Sequence, residues 1–318
     1  MARLSHNARV ASVLWLDDDS GIISLGEDGM ISRWNRTSFN HWTWAKMVDI
    51  GIRPNYQEID SGMCLAYFKD RVAVSLPTVG VKLWVWSKGS WQAQQPILRP
   101  NVTALTFIEG GSTLLGGTVD GVLWACEVPN GIIRACAFLK TKIFSIDVNS
   151  AKTHALIGEH LACHGVSRLI GLQAEKRGKL EQSYANKDTE SSPHQLHTFA
   201  CFTARGQGVL FGDIKGCALI WDTKKGTLVY GLDHILGEED HGQGMMADSF
   251  PDEAVTAAAV LTGTSTGLLS WWSQPAYANS GQSSPTAVNI FSPTLTHLKT
   301  PIKNPKYREK VLLFLSFL

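Results

Sequence analysis

Residues 25–35 read LGEDGMISRWN. Two glycines bracket an acidic pair, and Trp34 follows the second glycine by five residues. Glycine accepts positive φ and aspartate tolerates turn conformations, so GEDG predicts a hairpin turn. The flanks, SGIISLG and MISRWN, are rich in β-branched and apolar residues and predict two strands. Side chains alternate along a strand, so Met30, Ser32 and Trp34 share one face.

The same grammar returns along the chain. It reads VAVSLPTVGVKLWVW near Gly80, LLGGTVDGVLWACE around Gly121 and, more loosely, ALIGEHLACHGVSRLIGL near Gly165. Around Gly216 it is VLFGDIKGCALIWD, and around Gly267 VLTGTSTGLLSWW. The six turn glycines, Gly29 included, lie 41 to 51 residues apart. Five residues beyond them stand Trp34, Val85, Cys126, Ile170, Trp221 and Trp272. A buriable side chain at a quasi-fixed period is the signature of a repeat architecture. An apolar run precedes most of the turns, for example RVASVLWL, NVTALTF and HTFACFT; before the sixth, GMMADSF is a weak candidate. A fourth strand is expected in the variable linkers, as in GSWQAQQPIL or GTLVYGL.

Units of this kind resemble the WD-repeat β-propeller family, in which four-stranded blades surround a channel. LIWDTKKG at 219–226 is similar to the family's terminal Trp-Asp dipeptide. Repeat one resembles its polar tetrad, with His6 as loop histidine, Ser24 as strand hydroxyl, Asp28 as turn carboxylate and Trp34 as indole. Repeat three keeps Asp120 but has Cys126 at the Trp position, and repeat five keeps Trp221 but has Lys215 at the Asp position. The resemblance implies an all-β fold of six recognisable four-stranded blades over residues 1–275, with a seventh left open. Trp34, Trp221 and Trp272 are expected to pack blade against blade.

Bulk properties agree with a globular chain of 318 residues, 44% hydrophobic and 18% charged. A net charge of +1 gives no global attraction to nucleic acid or anionic lipid. No apolar run reaches the length of a membrane span, and the first ten residues lack a signal-peptide core. The six cysteines stand singly without a CxxC pair, so reduced thiols and a cytoplasmic or nuclear location are expected.

Three stretches read as irregular: 37–60, an outer strand with a long connection; 173–195, a polar loop; and 237–253, an acidic, Gly-rich loop. Residues 276–318 form a Ser/Thr/Pro-rich tail that reads as disordered and ends in the short apolar segment VLLFLSFL. Ser284, Ser292 and Thr300 each precede proline and are candidate phosphosites.

No nucleophile elbow, P-loop or paired catalytic carboxylates occur, so a non-enzymatic chain without cofactor or metal is expected. His160 and His164, with Glu159 and Cys163, form the densest ligand-type cluster and the basis of an alternative metal or enzyme reading. Glu159 precedes His160 rather than following it, which departs from the zincin order. Basic residues are mixed with acids, which argues against direct nucleic-acid contact. The function expected is a scaffold for other proteins of a complex, with Trp42, Trp44 and Trp91 as candidate anchors outside the inner strands. A ubiquitin-ligase substrate receptor is the alternative within that class, although WDTK places Lys224 where such receptors carry arginine.

Overall fold

The computed structural model describes residues 10–16, 20–38, 41–51, 63–129, 131–139, 141–160, 165–173, 177–185, 200–203, 206–212, 217–233, 245–250, 259–264 and 269–273. His6, the tail with Ser284, Ser292 and Thr300, and residues 161–164 lie outside them.

The described chain is all-β. Its first sheet joins β1 (Val10–Trp15), β2 (Gly21–Gly26), β3 (Met30–Ser38) and β4 (His41–Asp49). The second holds β5 (Leu65–Phe68), β6 (Arg71–Leu76), β7 (Gly80–Ser87) and β8 (Ser90–Ala93). The third holds β9 (Val102–Ile108), β10 (Thr113–Thr118), β11 (Val122–Glu127) and β12 (Ile133–Phe138). The fourth holds β13 (Ile143–Val148), β14 (His154–His160), β15 (Gly165–Gly171) and β16 (Leu180–Ala185). The fifth holds β17 (Ala200–Thr203), β18 (Gly208–Gly212), β19 (Cys217–Asp222) and β20 (Leu228–Asp233). Among the described residues the sixth has three strands, β21 (Met245–Phe250), β22 (Ala259–Thr264) and β23 (Leu269–Ser273). Every sheet is a meander in chain order. No described helix is long and apolar enough to cross a membrane.

The hairpin turns explain the glycines. Gly29 and Gly121 both sit at φ 78°, a region that costs other residues strain, and each closes its turn with a backbone bond to the residue three before it. The second repeat departs from the expected frame. Its turn is Pro77–Val79, and Gly80 is already the first residue of β7. The buried residue of that strand is therefore Trp84 rather than Val85. With that correction one position recurs in all six sheets, opposite the second residue of the second strand. It is occupied by Trp34, Trp84, Cys126, Ile170, Trp221 and Trp272.

Two expected loops contain strands. β16 lies inside 173–195 and β21 inside 237–253. β16 has five of its six side chains at least partly open to solvent, so its composition is polar and reads as loop.

The described residues fall into two compact units that divide between Ile143 and Phe144. Within the first unit, Ile23, Leu25, Ile31 and Val48 of the first sheet pack on Leu65, Val72, Val74 and Trp84 of the second. The opposite face of the second sheet, with Ala66, Ala73, Val81 and Leu83, packs on Leu105, Phe107, Leu114, Trp124 and Cys126 of the third. Within the second unit, Leu156, Leu169 and Tyr184 of the fourth sheet meet Val209, Phe211, Leu219 and Trp221 of the fifth. Each fully buried aliphatic side chain stabilises by about 1.5–3 kcal/mol.

The first strands are open edges, and side chains stitch two of them together. Ser145 Oγ on β13 accepts the Ala200 N–H at 3.1 Å, and Asp147 Oδ2 accepts the Phe202 N–H at 2.7 Å, both from β17. A strand edge that would otherwise present bare donors is thus satisfied across the gap between sheets. Burial raises the pKa of Asp147 above the ordinary carboxylate value, and the N–H groups of Phe202 and Val148 only partly oppose this. The folded state then binds this proton more tightly than the unfolded chain. Its contribution to stability is full below the ordinary Asp pKa and is lost as pH rises through the elevated folded value. Urea unfolding followed by Trp fluorescence from pH 3.5 to 7 should show this decline in the native protein. Asp147→Asn should remove that part of the slope, and superimposable profiles would refute the assignment.

Candidate interaction surface

Three residues of the expected tetrad, Ser24, Asp28 and Trp34, occupy one hairpin, while His6 lies outside the described residues. The Trp34 indole N–H donates to Ser24 Oγ at 2.7 Å, with both side chains buried. Asp28 Oδ1 accepts the Met30 N–H at 3.0 Å across the turn. Ser24 is the fourth residue of β2, and that place is chemically different in other sheets. In the third sheet it is Gly116, and Trp124, two residues before Cys126 on the same face, lies over it with 1% exposure. A Cβ on Gly116 would stand 2.2 Å from Trp124 Cζ2. In the fifth sheet it is Phe211, stacked on Trp221 with ring centroids 5.9 Å apart and planes 9° apart. Tyr184 meets the same indole edge-on at 6.2 Å and donates its hydroxyl to the Thr223 carbonyl at 2.9 Å. Trp272 pairs with Val260 in the sixth sheet, whose corresponding fourth residue is Thr262.

The three candidate anchors separate by exposure. Trp44, on the outer strand β4 opposite Trp34, is 56% exposed. Trp42 is half-buried, with its ring edge-on to Trp15 at 6.3 Å and packed with Ile22 and Trp34. Trp91 is half-buried against the core shared by the first two sheets. Trp86, which the sequence left undistinguished, is 48% exposed and meets Trp91 edge-on at 5.4 Å. It shares a strand face with Trp84, but burial falls away along β7 as the strand runs past the packed region. Parity alone gives no sign of that.

Burial pushes the Cys64 thiol up to about 12, and it sits 2.9 Å from Ser75 Oγ as a packing group. Cys126 is likewise raised by burial. His160 ends β14 opposite Gly165, while Cys163 and His164 fall outside the described residues. Among the described residues no three His, Cys, Asp or Glu side chains gather as a metal site. His154 is engaged, with Nδ1 2.8 Å from Thr153 Oγ1 and Nε2 2.9 Å from Glu181 Oε2.

No protein-family model matches the chain, and no curated protein matches it.

Proposed function

We propose that the chain is a β-propeller of the WD-repeat type serving as a non-enzymatic platform for other proteins of a complex, in the cytoplasm or nucleus. The observation that carries this reading is the recurring position led by Trp34. In the second, third and fifth sheets its occupant, Trp84, Cys126 or Trp221, packs against the preceding sheet. Meander sheets that repeat in this way, laid face to face within each unit, are the construction of propeller blades. Such a scaffold is rigid and offers its loops and outer strands to partners.

Trp44 and Trp86 are the proposed anchors, because exposed tryptophans supply large apolar area at protein interfaces. The test is affinity capture from cell extract with quantitative mass spectrometry, comparing native protein with Trp44→Ala and Trp86→Ala. Partners retained by the native chain should fall by about thirtyfold or more in at least one variant, which corresponds to a hot-spot loss. Equal capture by both variants would remove these residues from the interface.

A further inference from the structure

A chain of side-chain hydrogen bonds crosses one end of the fourth sheet. Asn149, just after β13, accepts the N–H groups of Thr153 and His154 on Oδ1 at 2.9 and 3.0 Å. Those two donors fix the amide, so that Nδ2 donates to Thr153 Oγ1 at 2.9 Å. At the other end of the chain, His154 Nε2 lies 2.9 Å from Glu181 Oε2. A carboxylate only accepts, so a neutral imidazole here carries its proton on Nε2. Nδ1 is then a bare acceptor, and the Thr153 hydroxyl donates to it at 2.8 Å.

Two features of the strands bring ring and carboxylate together. His154 on β14 pairs with Gly171 on β15, so no side chain stands between the ring and the outer strand β16. On β16 the register shifts: Leu169 pairs with Gln182 and Ile170 with Leu180, which leaves Glu181 as a bulged residue. Bulges re-aim side chains. The two side chains are 27% and 23% exposed, so their attraction is less screened than on an open surface. Farther along β16, Tyr184 meets Trp221 and donates to the Thr223 carbonyl, which ties that end of the strand to the fifth sheet. The described charged groups around the ring are Asp147 on β13, Lys152 in the turn before β14, Arg177 and Lys179 ahead of β16, and Glu181, which bonds to it directly.

We infer that His154 and Glu181 form a proton-controlled clasp that holds β16 to β14 and tightens when the imidazole takes up a second proton. In the neutral state the contact is a hydrogen bond to a carboxylate. In the protonated state it is also an ion pair, and Nδ1–H donates to Thr153 Oγ1 while the hydroxyl hydrogen turns away. Histidine is the residue type that changes charge between about pH 5 and 8. Acidification through that range stiffens β16, and a rise in pH lets its Glu181 end fray. The clasp goes beyond the platform reading and does not depend on it.

The test is hydrogen exchange of the full chain at about pH 5 and about pH 8, with rates taken relative to intrinsic exchange at each pH. Protection of amides 180–185 should be about threefold greater at the lower pH, the scale of a part-exposed ion pair. His154→Gln and Glu181→Gln each keep a polar contact without the ion pair and should bring that ratio to about one. Asp147→Asn removes the other pH-linked group of this sheet and should leave the ratio unchanged. The 15N spectrum of the native protein at the higher pH should show His154 as the Nε2–H tautomer, a signature that packing alone would not produce. Four results overturn the inference: equal protection at both pH values in the native chain, a ratio that persists in either Gln variant, a ratio that vanishes in Asp147→Asn, or an Nδ1–H tautomer.

Discussion

Trp124→Ala is expected to destabilise the chain by about 3–5 kcal/mol, the cost of truncating a buried indole and leaving the cavity behind. Trp124 is 1% exposed and faces the second sheet together with Leu114 and Cys126. It also roofs Gly116, so the two positions are coupled. Gly116→Val should be strongly destabilising in the native background, because its Cβ would enter the indole at 2.2 Å from Cζ2. In Trp124→Ala the same valine has room, and its cost should fall or reverse. A double-mutant cycle by urea unfolding reads the coupling directly. Additive effects would show that the ring and the glycine are not in the contact described.

Arg168→Met is the second large loss. Glu159 on β14 is fully buried, and the Arg168 guanidinium on β15 donates Nε to its carboxylate while Nη1 reaches Ser183 Oγ at 3.3 Å. Removing the cation leaves a carboxylate in a dry site, which typically costs about 3–5 kcal/mol. The double change Glu159→Gln with Arg168→Met should recover a substantial part, because no charge is then stranded. Equilibrium unfolding of the three variants decides this. A double variant as unstable as Arg168→Met would place the cost in packing rather than in charge.

Much of the architecture was legible because its decisive signals are local. A glycine between two β-branched runs is visible within a dozen residues; at Gly29 and Gly121 it takes positive φ, and the residue five beyond it marks the recurring position in five of the six sheets. The frame slipped at Gly80, where Pro77–Val79 makes the turn and the glycine starts the strand, so the count reached Val85 instead of Trp84. β16 was hidden because an outer strand with one wet face has the composition of a loop. Surface aromatics were the least legible. Trp42, Trp44, Trp86 and Trp91 are alike in sequence, and their exposure depends on where a strand outruns its neighbour. The ion pair of Glu159 with Arg168 also escaped notice, since the residues are nine apart and meet only once the hairpin register is known.

The meander order has a consequence for biogenesis. All four strands of the first sheet come from residues 10–49, and the third and fifth sheets are similarly contiguous. A nascent chain leaving the ribosome can complete each sheet from nearby segments before the next is made, with little loop-closure entropy to overcome. Within each unit, folding then proceeds by accretion, a new sheet finding the exposed face of its predecessor as a template.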